Sequence, residues 1–346
     1  MDLHIFNPEH DLALAAGLSN FTAPHAGRKL RADLGFLPAL WADEQDYVLV
    51  ENVEQARKAY ARLRARVGGG RPQFVDKYQL SRLCIDRVVP WGWDAALRSF
   101  LLRYGVKELP SDEQIADIRE LSHRKYALQL LHALSAVAEE PVLCQSLAEV
   151  KACQERLRRI VVKAPWSSSG RGVRFIDREA GDYHDRWISN VIAKQGSIVV
   201  EPYYNKVKDL GMEFVSDGRG HVSYCGLSLF QTKNGAYVGN VIADEEEKLA
   251  AMSRYVSREV LASVRDRICS LLGSLYDGRY AGPFGVDMMI VATSRKDGFM
   301  LHPCVEINLR RTMGHAALSI PPFADGFTRV MQIVLTDKYR IQIRKQ

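Results

Sequence analysis

GVDMMIVATSRKDGFMLHPCVEINLR (285–310) reads as two apolar strands joined by a polar turn. Asp297-Gly298 is a favoured two-residue hairpin turn. A turn centred there predicts that opposed residues have numbers summing to 595, so that Asp287 faces Asn308 and Glu306 is its diagonal neighbour. Strand side chains alternate with period two, so a register slip of two keeps these three on one face, whereas a slip of one scatters them. Two carboxylates and an amide oxygen are hard ligands. Such a set suits Mg²⁺, which takes a few protein oxygens and completes its shell with water and phosphate oxygens. An exposed polar strand face is the competing reading. It is disfavoured because VDMMIV and PCVEINL read as core strands, where acids without a cation are costly.

The rest of the chain fits a multidomain α/β protein. At 346 residues it is long enough for two or three domains. Its 47% hydrophobic and 25% charged content excludes disorder for most of the length. The N-terminus lacks the basic and apolar regions of a signal peptide, and no stretch approaches the ~18 apolar residues of a membrane span. The expectation is a soluble, cytoplasmic protein that binds neither membrane nor nucleic acid. The net charge of +6 is spread along the chain, and the densest basic runs, 57–66 and 154–163, read as helix surfaces. Six cysteines without a CxxC pair are taken as reduced, and nine histidines without HExxH spacing make zinc a poor expectation.

LHIF (3–6), DYVLVEN (46–52) and the helical stretch after it suggest a small α/β unit. PQFVDKYQL (72–80) holds another short strand, and residues 81–135 read as helical, with SDEQ (111–114) as an N-cap and acidic first turn. After Pro141 short β runs dominate (159–165, 172–177, 197–204, 213–218, 223–230, 236–243). A helix over roughly 244–276 separates them from the two strands quoted above, taken as the last. The fold class is therefore α/β followed by α+β.

IVVKAPWSSSGRGVRFI (160–176) is a strand, a loop of small residues and a strand. Its serines and glycines can turn hydroxyl and N–H groups toward phosphate, with Lys163 at the end of the incoming strand. Neither a GxxxxGK[ST] loop nor a GxGxxG after the first strand is present. In SIVVEPYY (197–204), Pro202 ends a strand just after Glu201 and frees backbone groups for a ligand.

Taken in order, these pieces resemble the ATP-grasp superfamily. SHRKYALQLL (122–131) is similar to the helix start that supplies a first lysine, KAPWSSSGRGV to the phosphate-covering loop, EPYY to the adenine hinge, and GVD with EINLR to the metal-binding strands. The likeness covers roughly residues 120–315. It implies an ATP-grasp fold with an N-terminal Rossmann-like pre-ATP-grasp domain over 1–120, a small subdomain with the covering loop over 121–200, and a large subdomain with the metal strands over 201–346.

The resemblance implies these roles. Lys125 and Lys163 contact the ATP phosphates, and Ser169, Gly170, Arg171 and Gly172 close over them. Glu201, Pro202, Tyr203 and Tyr204 cradle adenine, with Glu213 on the ribose. Asp287, Glu306 and Asn308 hold one or two Mg²⁺ (Mn²⁺ being an alternative ion). Arg310, with Lys163, is catalytic and stabilises charge on the transferred group. Arg124 stands as an alternative to Lys125. Asp209 stands as an alternative to Glu213, because YNKVKDL (204–210) lengthens the gap after Glu201.

NPEHDLALAAG (7–17) follows the first strand at the edge where α/β sheets place ligands, which makes Asn7, Glu9, His10 and Asp11 candidate substrate contacts. Arg311 and His315, just past the metal strand, join them for an anionic substrate. PWGWD (90–94) reads as packing. The activity implied is a Mg-ATP-dependent, ADP-forming ligase that joins a small-molecule carboxylate to an amine through an acyl phosphate, with a homodimer left open. The alternatives are a kinase of the same fold acting on a hydroxyl, and a nucleotide-binding module without catalysis.

Overall fold

The computed structural model describes residues 1–345 apart from 135–138, 168–171, 178–180, 234–235 and 295–297. The first layer holds β1 (Asp2–Ile5), α1 (His10–Ala16), α2 (His25–Leu34), β2 (Tyr47–Leu49), α3 (Val53–Val67), β3 (Gln73–Val75) and β4 (Arg87–Pro90). Its strands form a parallel sheet in the order β3-β2-β1-β4. The strand β4 lies inside a stretch that the sequence reads as helical. Its RVVP is too short for a periodicity signal and is recruited by parallel pairing with β1.

Helices α4 (Ala95–Arg103), α5 (Asp112–Leu121) and α6 (Lys125–Leu134) lead to the second layer. Ser111 and Gln114 form the expected capping box of α5. The apolar spacing runs on through 112–134, yet the helix breaks at Ser122, and the new start puts Arg124 and Lys125 at the head of α6.

The second layer is an antiparallel sheet in the order β5-β8-β6-β7, built from β5 (Val142–Cys144), α7 (Leu147–Leu157), β6 (Arg159–Lys163), β7 (Val173–Asp177), α8 (Asp182–Gln195) and β8 (Ile198–Pro202). Ile160, Val162, Ile176, Ile198 and Val200 bury one face. By strand pairing, Lys163, Phe175 and Glu201 share the other.

The third layer contains β9 (Lys206–Asp217), β10 (Val222–Lys233), β11 (Ala236–Ile242), α9 (Glu245–Met252), α10 (Arg258–Tyr276), β12 (Ala281–Ala292), β13 (Phe299–Asn308), α11 (Met313–Leu318), β14 (Arg329–Leu335) and β15 (Tyr339–Lys345). Its seven strands run β13-β12-β9-β10-β11-β14-β15. The residues YNKVKDL that lengthen the gap after Glu201 belong largely to β9, which starts at Lys206. The helix expected over 244–276 is two helices. The strands expected to be last are followed by β14 and β15, whose residues share a core with the first layer through Met331 and Ile343 against Phe6, Leu34 and Val48.

Leu210, Met212, Phe214, Val286, Met288 and Ile290 are buried on one face of the third sheet, against α6 and α10. The residues that alternate with them look the other way, and there the candidate site lies. Among the described residues, no helix is long and apolar enough to cross a membrane.

Candidate active site

The register of β12 and β13 corrects one expectation and keeps its consequence. Asp287 pairs with Glu306 and Gly285 with Asn308, a slip of two from the predicted pairing. Gly298 is paired across to Thr293 (2.9 Å), so it is not a turn centre, and Asp297 lies outside the described residues. All three side chains stay on one face, and Asn308 Nδ2 donates to Asp287 Oδ2 at 3.0 Å.

Their electrostatics fit a cation. Burial, reinforced by Glu306 and Glu213, pushes the Asp287 carboxyl up to about 8, against the relief given by Asn308 and Arg310. A carboxyl this reluctant to ionise, beside a second carboxylate and an amide oxygen, is a donor set that a divalent ion would satisfy. A second acidic group, Asp2, His4 and Asp46, has another explanation. Asp46 accepts N–H bonds from Asp2 (2.8 Å) and Asp43 (3.1 Å) and a His4 contact at 3.0 Å, so it ties down strand ends.

Cations ring the acids. Arg124 Nη2 lies 2.7 Å from Glu306 Oε1 and 3.2 Å from Ser167 Oγ, and its Nε donates to Ala164 O at 2.9 Å. The Nη1 of Arg124 is buried with no hydrogen-bond partner among the described residues, a free donor for an anionic oxygen. Lys125 turns away: its ammonium pairs with Glu120 and lies 5.2 Å from the Tyr126 ring centre. The start of α6 therefore places Arg124, and not Lys125, beside Glu306.

Lys163 is buried and pairs with Glu201 at 2.6 Å. Gly172 O accepts the Ala164 N–H at 2.8 Å. Its backbone runs so close to Ser167 that a Cβ there would sit 2.2 Å from the serine Cβ, so only glycine closes the loop this tightly. Ser169, Gly170 and Arg171 lie outside the described residues. Tyr203 is part-exposed with Arg159 stacked 4.1 Å over its ring and Phe175 at 6.1 Å, while Tyr204 lies against the ring of His302 at 5.1 Å.

Arg310 is held at four points. Its Nε and Nη2 reach the two oxygens of Asp11 at 2.9 and 2.8 Å, Nη2 also meets Asn308 Oδ1 at 2.9 Å, and Nη1 donates to Arg311 O at 3.1 Å. Burial works to raise the Asp11 pKa, but Arg310 outweighs it and the carboxyl is held below the usual range. Of the four candidate substrate contacts after β1, only Asp11 faces the acidic cluster. Asn7 Nδ2 donates to Gly92 O (2.7 Å) and Asp94 Oδ2 (3.2 Å), Glu9 pairs with Arg31, and His10 is buried 3.7 Å from Asp94. Asn7 and Glu9 line a cleft of about 1110 Å³ beside the first sheet, into which Arg28, Lys77 and Arg103 also project.

Two further candidates are sealed. Glu213 and His315 are 3% and 4% exposed and lie 2.9 Å apart (Oε2 to Nδ1). The start of α11 caps them so closely that a Cβ on Gly314 would come within 1.9 Å of Glu213 Oε1. As the chain stands, Asp209 is the more accessible acid; it is held by Lys206 (2.8 Å) and Thr232 (2.6 Å). Arg311 turns toward the first layer, with its guanidinium 4.5 Å over Trp41 and its N–H on Trp91 O. Burial lowers the Arg311 pKa to about 10. Trp91 is buried against Phe6 at 5.0 Å, so PWGWD serves packing on this side.

No family model matches the chain, and no curated protein matches its sequence. Solved structures do match its shape. One is an N5-carboxyaminoimidazole synthetase from Staphylococcus aureus complexed with ADP, with TM-score 0.51 and 14% identity over 96% of this chain and 82% of that one. A phosphoribosylamine–glycine ligase from Thermotoga maritima gives 0.54 and 12% over 96% and 80%. An L-amino acid ligase from Bacillus licheniformis gives 0.50 and 10% over 97% and 81%. At such identities the likeness speaks for architecture. The architecture is a parallel N-terminal sheet followed by two antiparallel sheets. The chain has the ATP-grasp fold.

Proposed function

We propose that the protein is a Mg-ATP-dependent, ADP-forming ligase that joins a carboxylate to an amine. The observation that carries this reading is the crowding of Asp287, Glu306 and Asn308 on one face of β12–β13, with cationic Arg124 on Glu306 and Arg310 on Asn308. That combination suits a metal–polyphosphate complex, and two of the three similar structures are named as ligases. The fold alone does not choose a reaction.

In this reading ATP lies between the second and third sheets. Lys163, the Nη1 of Arg124 and the loop from Ser167 to Gly172 meet its phosphates. Glu201 to Tyr204 border the base, and Asp209 is better placed than Glu213 for the ribose. Asp287, Glu306 and Asn308 would hold Mg²⁺, which neutralises phosphate charge and orients the γ-phosphoryl group.

The acceptor carboxylate enters from the cleft beside the first sheet, where Arg28, Lys77 and Arg103 can hold its anionic groups. Its oxygen attacks the γ-phosphorus, the bond to ADP breaks, and an acyl phosphate forms. The amine then adds to the acyl carbon and expels phosphate. Arg310, kept rigid by Asp11 and Asn308, stabilises the charge on the transferred group without reorganising.

The test is product stoichiometry over a panel of acids and amines. Ligation releases ADP and free phosphate in step and only with both acceptors present. ADP without phosphate would replace this reading with a hydroxyl kinase, and ATP binding without turnover on any pair would leave a nucleotide-binding module.

A further inference from the structure

Arg124 reaches the acids from the short link between α5 and α6, and the side chain that shapes this link is its neighbour His123. The ring is buried and touches three elements. Its Nδ1 accepts the N–H of Lys125, the first residue of α6, at 3.0 Å. Its Nε2 lies 3.3 Å from the hydroxyl of Ser197, at the entry to β8. It packs edge-to-face with Trp166, ring centres 4.7 Å apart, just past the end of β6. A backbone N–H can only donate, so Nδ1 is the acceptor, the ring is neutral, and its proton sits on Nε2 facing Ser197. Burial first, then Lys125, lowers its pKa to about 4, so this state holds near pH 7. The first N–H groups of a helix have no acceptor within it, and here the imidazole takes one from two residues back, as an Asx turn does. The residue enclosed by that turn is Arg124. Its N–H reaches Pro165 O at 3.4 Å, its Nε Ala164 O at 2.9 Å and its Nη2 Ser167 Oγ at 3.2 Å. The bond from Lys125 to His123 therefore fixes the stretch of backbone from which the guanidinium departs.

We infer that His123 is a positioning residue: by closing the turn around Arg124 it holds that guanidinium in place for the phosphates of a bound nucleotide. This rests on the reading that Arg124 meets the phosphates of ATP. His123 itself touches no nucleotide and acts through Arg124 alone, with Ser197 and Trp166 keeping its ring in orientation. Without the acceptor the turn relaxes, and part of the binding energy goes into restoring the conformation that aims Arg124.

The test is a double-mutant cycle on Mg-ATP affinity, read by calorimetry on the full chain. His123→Leu removes the acceptor while keeping bulk, and should weaken Mg-ATP about 3- to 10-fold. His123→Asn supplies an oxygen that can accept the N–H two residues on, and should bind within about twofold of wild type. In the Arg124→Ala background, His123→Leu should cost no further affinity, because no guanidinium is left to aim. Should His123→Leu fail to fold, Ser197→Ala, which changes only the far side of the ring, should show the same pattern with a loss of about two- to threefold. If the two losses multiply in the double variant, or if His123→Asn binds as poorly as His123→Leu, the ring does not act through this turn, and the inference falls while the ligase reading stands. It falls in the same way if His123→Leu binds Mg-ATP like wild type. If Arg124→Ala binds like wild type, the phosphate role of Arg124 falls and takes the inference with it. If wild type binds no Mg-ATP, the ligase reading and the inference fall together.

Discussion

Asp287→Asn should make the metal-free protein more stable, and increasingly so as pH rises. In the folded chain this carboxyl titrates near 8, against 3.8 for an unperturbed aspartate. Between those values the native state holds a proton that the unfolded chain has released. Stability therefore falls as pH increases through the window, by up to about 1.4 kcal/mol per pH unit. The full gap of roughly four units sets an upper bound near 6 kcal/mol, and local relaxation should reduce it to about 2–4 kcal/mol. Asparagine keeps an oxygen for the Asn308 Nδ2 bond, so the swap removes the charge and little else. Urea unfolding with chelator at pH 5 and pH 8.5 reads the effect: the gain of variant over wild type should widen by that amount between the two. Adding Mg-ATP should then stabilise wild type by about 2.7 kcal/mol at 100 times its dissociation constant, and the variant far less. A gain that does not change with pH would refute the crowding argument, because it would mean that Asp287 ionises without penalty.

The remaining predictions concern the cations and their anchors. Arg124→Ala should weaken Mg-ATP binding at least tenfold by calorimetry, whereas Lys125→Ala, which breaks a part-exposed pair with Glu120, should change binding little and stability by less than about 1 kcal/mol. Lys163→Met should cost about 3–5 kcal/mol in urea melts because it strands Glu201 in a buried site, and the double variant with Glu201→Leu should recover much of that loss. Asp11→Asn should lower kcat about 10- to 100-fold with a smaller change in the KM for ATP, since it loosens Arg310 without touching the nucleotide. Asp209→Ala should erase discrimination between ATP and 2′-deoxy-ATP, and Glu213→Gln should leave it intact.

The three-residue set Asp287, Glu306, Asn308 was legible because strand alternation survives a register error of two, and the pairing did slip by two. What misled was the Asp297-Gly298 dipeptide, a strong local turn signal: Met289 pairs with His302 and Thr293 with Gly298, four short of the expected sum of 595, and the irregular pairing near Pro303 brings the acids back to within two of it. The short β4 was invisible to periodicity, and the break at Ser122 is hidden by an apolar pattern that continues on both sides of it. Side-chain aim is harder still. Nothing in HDLAL shows that Asp11 alone reaches Arg310, and nothing in EFV or GHA shows that Glu213 and His315 pair under α11. Those facts depend on contacts across 100 or more positions of chain. His302 did carry a signal, the one polar residue besides Glu306 in the otherwise apolar run FMLHPCVEI (299–307), and at the same parity.

The last hairpin has a bearing on how the chain is made. Arg66 donates to Ile343 O at 2.9 Å, Asp33 accepts the N–H of Tyr339 at 2.9 Å, and Met331 and Ile343 complete the core around Phe6 and Val48. During synthesis the first layer emerges early, yet its apolar surface stays uncovered until β14 and β15 leave the ribosome. At about 5–20 residues per second, that wait lasts tens of seconds. The nascent N-terminal layer is therefore the part of this protein with the longest exposure to chaperones and to its own neighbours, and a truncation before Arg329 would leave that exposure permanent.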